Sequence, residues 1–262
     1  MYDRIVGWDS RTTSQNLYCA PHMTSSDKFD YVSVVLPAYR LGEHIADNLT
    51  AVALALPGAQ LIAVDDGSDD NTYDQATQSA GRLPRTLVLK HAQNRGKGAA
   101  LQTGAAAAEG SVVIFLDGDL DLPPSQVPGL LDRFSDLGVD VLVGAKQTGM
   151  GDGRYPWKRR ALSHIFSFIS RILFRLPIDE TQTGLKIFKR TVLDEVFSRQ
   201  KVFRYAFDLE LLVRAHRAGF QIAQTPVELR VGASSAPLQL STLWEMGRDT
   251  LRIFVWSLGR RR

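Results

Sequence analysis

Hydrophobic positions along the first half of the chain follow two different spacings. Five runs of apolar, largely β-branched residues predict strands. These runs lie at 32–36, 61–64, 86–89, 112–116 and 139–143. Between them, apolar positions at helical spacing predict helices, most clearly at 44–56 and 98–108. Apolar strands that alternate with helices are typical of a sheet buried on both faces. The pattern therefore predicts an α/β fold with a Rossmann-like, mostly parallel central sheet and helices on both faces.

Turn-forming and polar residues directly follow three of these strands. They are Pro37-Ala38-Tyr39, Asp65-Asp66-Gly67 and Asp117-Gly118-Asp119. In open parallel sheets, ligands bind beyond the carboxyl ends of the strands. We therefore expect the three segments to meet at one edge of the sheet and to form a binding site there.

The turn at 117–119 carries two carboxylates one residue apart. Asp117 and Asp119 follow a buried strand, and their oxygens suit a hard cation such as Mg²⁺ or Mn²⁺. Magnesium commonly uses one or two carboxylates together with phosphate oxygens of a substrate. The alternative is an ordinary acidic surface turn, because Asp and Gly are common turn residues.

Two further segments have the composition of nucleotide-binding loops. Asp65 and Asp66 suit hydrogen bonds to a ribose or a base, although Ser68 after them is equally typical of a simple helix cap. Lys97 lies between glycines ahead of an Ala-rich helix, where it is able to approach a phosphate. The glycine spacing matches neither a P-loop nor an NAD-binding fingerprint.

A phosphate site also requires fixed cationic donors. Lys146, Arg159 and Ser163 are candidates, and the last two are four residues apart, so they share one face of a helix. The alternative is a solvated basic surface, which is the usual role of such residues.

Composition narrows the class of protein. The single cysteine, Cys19, excludes an intrachain disulfide framework and fits a reducing cytoplasm. The five histidines lack metal-ligand spacing, and no serine-hydrolase elbow is present. Net charge is only +3, with basic residues concentrated at 154–175 and 260–262, which favours phosphate or anionic lipid over nucleic acid.

The ends of the chain differ from its centre. Residues 1–28 are polar and lack the apolar core of a secretory signal, so we expect a disordered leader. No run reaches the roughly 18 apolar residues of a membrane span. Segments 157–176 and 240–258 are amphipathic with basic flanks, which is typical of helices that lie on a membrane surface or pack on the sheet. We expect 237–262 to form a basic C-terminal helix.

Taken together and in this order, the motifs resemble those of the family 2 glycosyltransferases, and more narrowly the polyprenyl-phosphate sugar synthases. The resemblance runs from about residue 31 to about residue 235. Its parts are Val34–Tyr39, Val64–Ser68, Asn94–Ala99, Asp117–Pro124, Gly144–Lys146, Asp179–Lys186 and Phe207–Leu212.

The resemblance implies a GT-A fold over 29–236 and an inverting transfer of mannose or glucose from a GDP- or UDP-sugar to a polyprenyl phosphate. It assigns Asp117 and Asp119 to the metal and the donor diphosphate. Lys146, Arg159 and Ser163 match positions that bind the phosphate of the acceptor, and Arg230 matches a residue that closes over the donor phosphates. The reaction is expected on the cytoplasmic face of a membrane, with the protein bound peripherally.

Some residues depart from the family pattern. Arg40-Leu41 replaces Asn-Glu, Lys146 replaces arginine, and Asp121 replaces a frequent glutamine. Two alternatives follow. An enzyme that acts on a sugar or protein hydroxyl requires a base, for which Asp208 and Glu210 are candidates. A non-catalytic membrane adaptor on the same fold is the alternative from another class.

Overall fold

The computed structural model describes residues 31–146, 172–202, 206–229 and 240–258. Within them, seven strands form one sheet in the order β3-β2-β1-β4-β6-β5-β7. The strands are β1 (Val32–Ala38), β2 (Gln60–Asp65), β3 (Thr86–Lys90), β4 (Val112–Leu116), β5 (Val141–Lys146), β6 (Leu185–Lys189) and β7 (Ile222–Val227). Only β6 runs antiparallel to its neighbours β4 and β5. The predicted mostly parallel sheet is therefore confirmed.

Helices follow most strands and cover both faces of the sheet. They are α1 (His44–Ala55), α2 (Thr72–Ala80), α3 (Lys97–Ala107), α4 (Val127–Leu137), α5 (Arg190–Phe197), α6 (Phe207–Arg217) and α7 (Leu240–Leu258). One buried cluster lies between the sheet and α1, α2 and α4. A second cluster lies between the sheet and α3, α5 and α6. The chain thus folds into three layers whose polar loops are left at the sheet edges.

Strand β1 continues past Pro37, where the apolar run predicted its end. Pairing with β4 stops at Val35, whereas pairing with β2 continues to Ala38. Proline lacks a backbone N–H and is tolerated in a strand where no ladder bond is needed on that side. The extension carries Ala38 and Tyr39 to the same edge as Asp65.

The second half of the sheet was the less predictable part. Strand β5 lies two residues later than the predicted run at 139–143 and ends at Lys146. Strands β6 and β7 have no long apolar run, and β6 contains Lys186, which is buried. The helix predicted over 240–258 has the same bounds in the structure. Residues 1–28 and most of 157–176 lie outside the described residues.

Helix α7 lies against the second cluster through one face only. Ile253 is buried, and Phe254 lies with its ring centroid 6.3 Å from that of Phe174. Leu251 and Val255, one turn apart, are exposed. In the part of the chain that the structure describes, no helix is both long and apolar enough to cross a bilayer.

Candidate active site

The three segments predicted to meet do lie at one edge of the sheet. Strand β1 lies between β2 and β4, so Tyr39, Asp65 and Asp117 leave neighbouring strands side by side. The chain places β2 and β3 on one side of β1 and β4 on the other. In α/β proteins, ligands commonly bind at the point where the strand order changes direction in this way. Tyr39 is exposed at this edge.

The turn after β4 is held from three directions. The Leu120 N–H donates to the Asp117 carbonyl (3.0 Å), which closes the turn. The Asn48 side chain donates to the Gly118 carbonyl (2.8 Å). A Cβ at Gly118 would lie 2.6 Å from the Pro37 carbonyl oxygen, so only glycine permits this contact between the two strand ends. The backbone of the turn is therefore fixed, and its two carboxylates project from a rigid base.

Three lysines surround Asp117. The Lys97 Nζ lies 2.5 Å from Asp117 Oδ1. Burial alone raises the pKa of Asp117, but the charge and hydrogen bond of Lys97, with the charges of Lys186 and Lys146, outweigh burial and lower this pKa below its usual value. Asp117 is therefore anionic at neutral pH.

The same pair also shifts Lys97. Burial alone lowers the pKa of Lys97, but the negative charges of Asp117 and Asp208 more than compensate, and this pKa lies above its usual value. Lys97 remains cationic at neutral pH, and its side chain is 39% exposed. The loop that carries Lys97, which the sequence suggested for phosphate binding, therefore contacts the turn at 117–119.

Asp119 has the opposite shift from Asp117. Burial, followed by the charge of Asp117, raises the pKa of Asp119. Like charges held close together favour a cation between or beside them. The carboxylates of Asp117 and Asp119 therefore fit a hard divalent ion.

The absence of a side chain at Gly184 leaves space for the carboxylate of Asp117. A Cβ at Gly184 would lie 2.6 Å from the Asp117 Cγ, and the Asp117 N–H donates to the Gly184 carbonyl (3.2 Å). Among the described residues, no group of three or more His, Cys, Asp or Glu side chains is arranged around a metal position. Besides these two carboxylates, Mg²⁺ commonly takes ligands from water and from substrate oxygens.

A buried ion pair lies behind the turn. The Lys186 Nζ lies 2.9 Å from Asp208 Oδ1 and donates to the Thr183 carbonyl (2.6 Å). Burial lowers the pKa of Lys186, which Asp208 opposes without reversing the shift. Asp208 is thus within reach of the site but already paired with a cation.

The two aspartates after β2 bind their own chain. Asp65 Oδ1 accepts from the Ser68 N–H (3.1 Å), and Asp65 Oδ2 is buried with no hydrogen-bond partner among the described residues. Asp66 accepts hydrogen bonds from the N–H groups of Arg95 (3.0 Å) and Gly96 (2.7 Å), and it contacts His91 Nδ1 (2.7 Å). Asp65 Oδ2 lies 3.9 Å from the Lys90 Nζ, and Asp66 supports the Lys97 loop.

Glu210 is enclosed in a different cluster. It accepts hydrogen bonds from the N–H groups of Lys201 (3.0 Å) and Val202 (2.6 Å) and from the Arg214 guanidinium (2.5 Å and 2.8 Å). Its carboxylate has no accepting position left for a substrate. Of the two residues suggested as a base, the geometry favours Asp208 over Glu210.

The predicted acceptor residues are described only in part. Lys146 ends β5 and lies near enough to Asp117 to lower its pKa. Arg159, Ser163 and Arg230 lie outside the described residues, and their roles stay predictions.

The sequence did not single out Gly184 or Lys186 as site residues. Both lie in the segment Asp179–Lys186, which was noted only as part of the family resemblance. A lysine in a short apolar run is the available signal for Lys186. For Gly184, only the fold reveals the contact with Asp117, which is 67 positions earlier.

Comparisons with known proteins identify the fold and the family. In solved structures, the chain is similar to glucosyl-3-phosphoglycerate synthase from Mycobacterium tuberculosis in complex with Mn²⁺, UDP-glucose and phosphoglyceric acid. The TM-score is 0.67 at 22% identity, over 94% of this chain and 87% of that chain. The chain therefore has the fold of this structure, which is the GT-A fold expected from the sequence.

Sequence relatives define the family. The model of glycosyl transferase family 2 matches residues 33–197. Dolichyl-phosphate beta-glucosyltransferase ALG5A of Trichomonas vaginalis is 26% identical over 285 residues, 98% of this chain and 86% of the relative. Polyprenol monophosphomannose synthase of Mycolicibacterium smegmatis is 30% identical over 200 residues, 74% of this chain and 75% of the relative. The chain belongs to glycosyl transferase family 2, and it is an enzyme of the glycosyltransferase class rather than an adaptor.

Proposed function

We propose that the protein transfers a hexose, mannose or glucose, from a GDP- or UDP-sugar to a polyprenyl phosphate with inversion at the anomeric carbon. One observation carries the proposal. The carboxylates of Asp117 and Asp119 lie at the carboxyl edge of the sheet, where the charges of Lys97, Lys146 and Lys186 act on Asp117. A site of mixed charge suits a reaction in which both substrates are phosphate anions.

Asp117 and Asp119 would hold Mg²⁺ or Mn²⁺ together with the donor diphosphate. When bound, the ion supplies positive charge to the departing nucleoside diphosphate. Lys97 would then face the phosphate groups of the donor, and Tyr39 and Asp65, at the ends of β1 and β2, would lie beside its nucleoside. The known neighbour that binds Mn²⁺ and UDP-glucose has the same fold, which supports this arrangement.

The acceptor oxygen needs no base in this proposal. A phosphate monoester is already anionic at neutral pH, so positioning and charge stabilisation have to supply the rate. Lys146, with Arg159 and Ser163, would bind that phosphate. The names of the two sequence relatives, which include dolichyl phosphate and polyprenol, support this class of acceptor.

Contact with a membrane surface forms part of the proposal. The exposed Leu251 and Val255 of α7 are accompanied by Arg252, whose side chain is also exposed. An exposed apolar strip beside basic residues suits the interface of an anionic bilayer. We place the reaction on the cytoplasmic face, which the single cysteine supports. The double variant Leu251→Asp/Val255→Asp is expected to float less with anionic vesicles than the wild type.

The test of the reaction is Asp119→Ala. We expect it to abolish transfer from UDP-glucose and GDP-mannose to a short polyprenyl phosphate while the circular dichroism and melting temperature stay unchanged. Asp136→Ala, an exposed carboxylate at the end of α4, is the matched control and is expected to keep full activity. Full activity of Asp119→Ala would disprove the proposal.

The alternative acceptor is a sugar or protein hydroxyl with Asp208 as base. The position of Asp208 favours this alternative, because Asp208 lies near enough to Lys97 to raise the pKa of that lysine. Arg159→Ala separates the two, because a phosphate acceptor should lose most of its binding and a hydroxyl acceptor little. An unchanged KM for polyprenyl phosphate in this variant would favour the hydroxyl alternative.

A further inference from the structure

Lys97 occupies one oxygen of the carboxylate that the proposed function assigns to a metal. The Lys97 Nζ contacts Asp117 Oδ1 at 2.5 Å, and Asp119 lies near enough to add to the same field. A lysine ammonium and a divalent ion repel each other when they share one carboxylate. The two cations therefore compete for Asp117.

The backbone just before Lys97 is fixed by hydrogen bonds, whereas the Lys97 side chain is held at its end by the ion pair with Asp117. Asp66 accepts from the Arg95 and Gly96 N–H groups and is itself held by His91, whose Nε2 lies 2.9 Å from Thr103 Oγ1. Gly96 has φ +96°, a conformation that favours glycine. The long side chain of Lys97 is 39% exposed and is able to swing from a fixed base.

We propose that Lys97 is a tethered counter-ion that keeps the divalent metal off Asp117 until a nucleoside diphosphate binds. The diphosphate brings negative charge that attracts the Lys97 ammonium away from Asp117, and the carboxylate then becomes available to the metal. Metal and donor would thus bind as a pair. This inference rests on the proposed function, because it assumes that Asp117 and Asp119 are the metal ligands.

Manganese binding, measured without any transfer reaction, tests the inference. Free Mn²⁺ is followed by electron paramagnetic resonance during titration of the full chain, with and without UDP and, separately, GDP. Lys97→Met removes the competing charge and keeps most of the side-chain volume. We expect it to bind Mn²⁺ about tenfold more tightly than the wild type when no nucleotide is present, a figure that allows for solvent screening.

Two control variants separate charge from structure. Lys97→Arg keeps the cation, so its Mn²⁺ affinity without nucleotide is expected to stay as weak as that of the wild type. Lys189→Met removes a half-exposed lysine that pairs with Asp140 at 2.8 Å at the other end of β6, and it is expected to leave Mn²⁺ affinity unchanged.

The outcomes distinguish this inference from the proposed function. If the wild type binds Mn²⁺ with a nucleotide but Lys97→Met gains no affinity without one, the counter-ion role is wrong and the metal site stands. If the wild type binds no Mn²⁺ with either nucleotide, the metal-dependent function itself fails, and the inference fails with it.

Discussion

Two ion pairs of the same length have opposite surroundings in this protein. Lys97–Asp117 and Arg214–Glu210 each have a shortest nitrogen–oxygen distance of 2.5 Å. The first pair lies at the open sheet edge with side chains 39% and 33% exposed, whereas the second is 5% and 3% exposed. The distance between the charges therefore does not distinguish a site from a structural element.

What distinguishes the two pairs is how many other groups they bind. Glu210 also accepts from the Lys201 and Val202 N–H groups, and the Arg214 guanidinium lies 4.0 Å from the Trp256 ring centroid. This closed pair cannot exchange partners without leaving buried polar groups unpaired. The open pair is accessible to solvent, so water is able to replace either partner and an exchange should cost less.

The largest effect is expected at the open pair and on activity alone. Asp117→Asn keeps the shape of the side chain but removes the charge that metal and Lys97 bind. We expect the transfer rate to fall by about 10³-fold, since charge stabilisation dominates this type of reaction. The melting temperature should fall by only a few degrees, because the side chain is partly open to solvent. A large loss of stability with retained activity would reverse the comparison.

At the closed pair, the main loss is expected in stability. Glu210→Ala leaves the Arg214 guanidinium buried without its partner, and such losses cost about 3–5 kcal/mol. Urea unfolding measures the change. The matched control is Glu195→Ala, which breaks an exposed helical pair with Arg199 (3.0 Å) and should cost no more than about 0.5 kcal/mol. If the folded Glu210→Ala protein has lost transfer activity, Glu210 takes part in the chemistry after all.

Gly184 tests whether the open pair needs space as well as charge. An added Cβ would push against the Asp117 carboxylate, which is able to rotate away, so the fold should survive. Displacement of a positioned group by about 1 Å costs on the order of 100-fold in rate. We therefore expect Gly184→Ala to lower kcat by about 10- to 100-fold.

Gly129 in α4 supplies the control for Gly184. No atom lies within 4 Å of a Cβ built there, so Gly129→Ala should keep full activity and gain up to about 1 kcal/mol of stability from helix propensity. Equal activity losses in the two variants would show that the Gly184 effect is not local.

The smallest effect is expected at a third, half-exposed pair. A hydrogen bond from Lys189, opposed by partial burial and aided by the Gln221 N–H, lowers the pKa of Asp140. A lowered folded-state pKa gives stability that is present above the unfolded value of about 3.9 and is lost as pH falls through the folded value. Asp140→Asn should therefore cost up to about 1 kcal/mol at pH 7, and the difference from wild type should shrink below about pH 4 and vanish once the pH is below the folded-state pKa. Urea unfolding across this range measures it.

The sequence was most informative where apolar runs end in acidic turns. Strand β4 was predicted with the bounds that the structure has, because five apolar residues precede Asp117. Strand β6 was not predicted, because its Lys186 reads as a surface residue although it is buried against Asp208. A short strand that contains a buried charged residue lacks the continuous apolar run by which strands are predicted.

Acidic residues were harder to assign than strands. Asp65, Asp66 and Glu210 are all carboxylates in family-like motifs, yet Asp66 and Glu210 bind their own chain. The partners of Asp66 are backbone N–H groups about 30 positions later, and no spacing rule reveals them. Their contacts depend on which loops the fold brings together. The sequence therefore indicates candidate acidic residues, and the structure shows which of them bind their own chain.

Helix α6 connects the closed pair to the buried Lys186–Asp208 pair behind the active site. It carries Asp208, bound to Lys186 behind the active site, in its first turn and Arg214, stacked on Trp256 of α7, in its last. Six residues of helix are about 9 Å long and stiff. One short, stiff element therefore connects the position of α7 to the buried lysine behind Asp117.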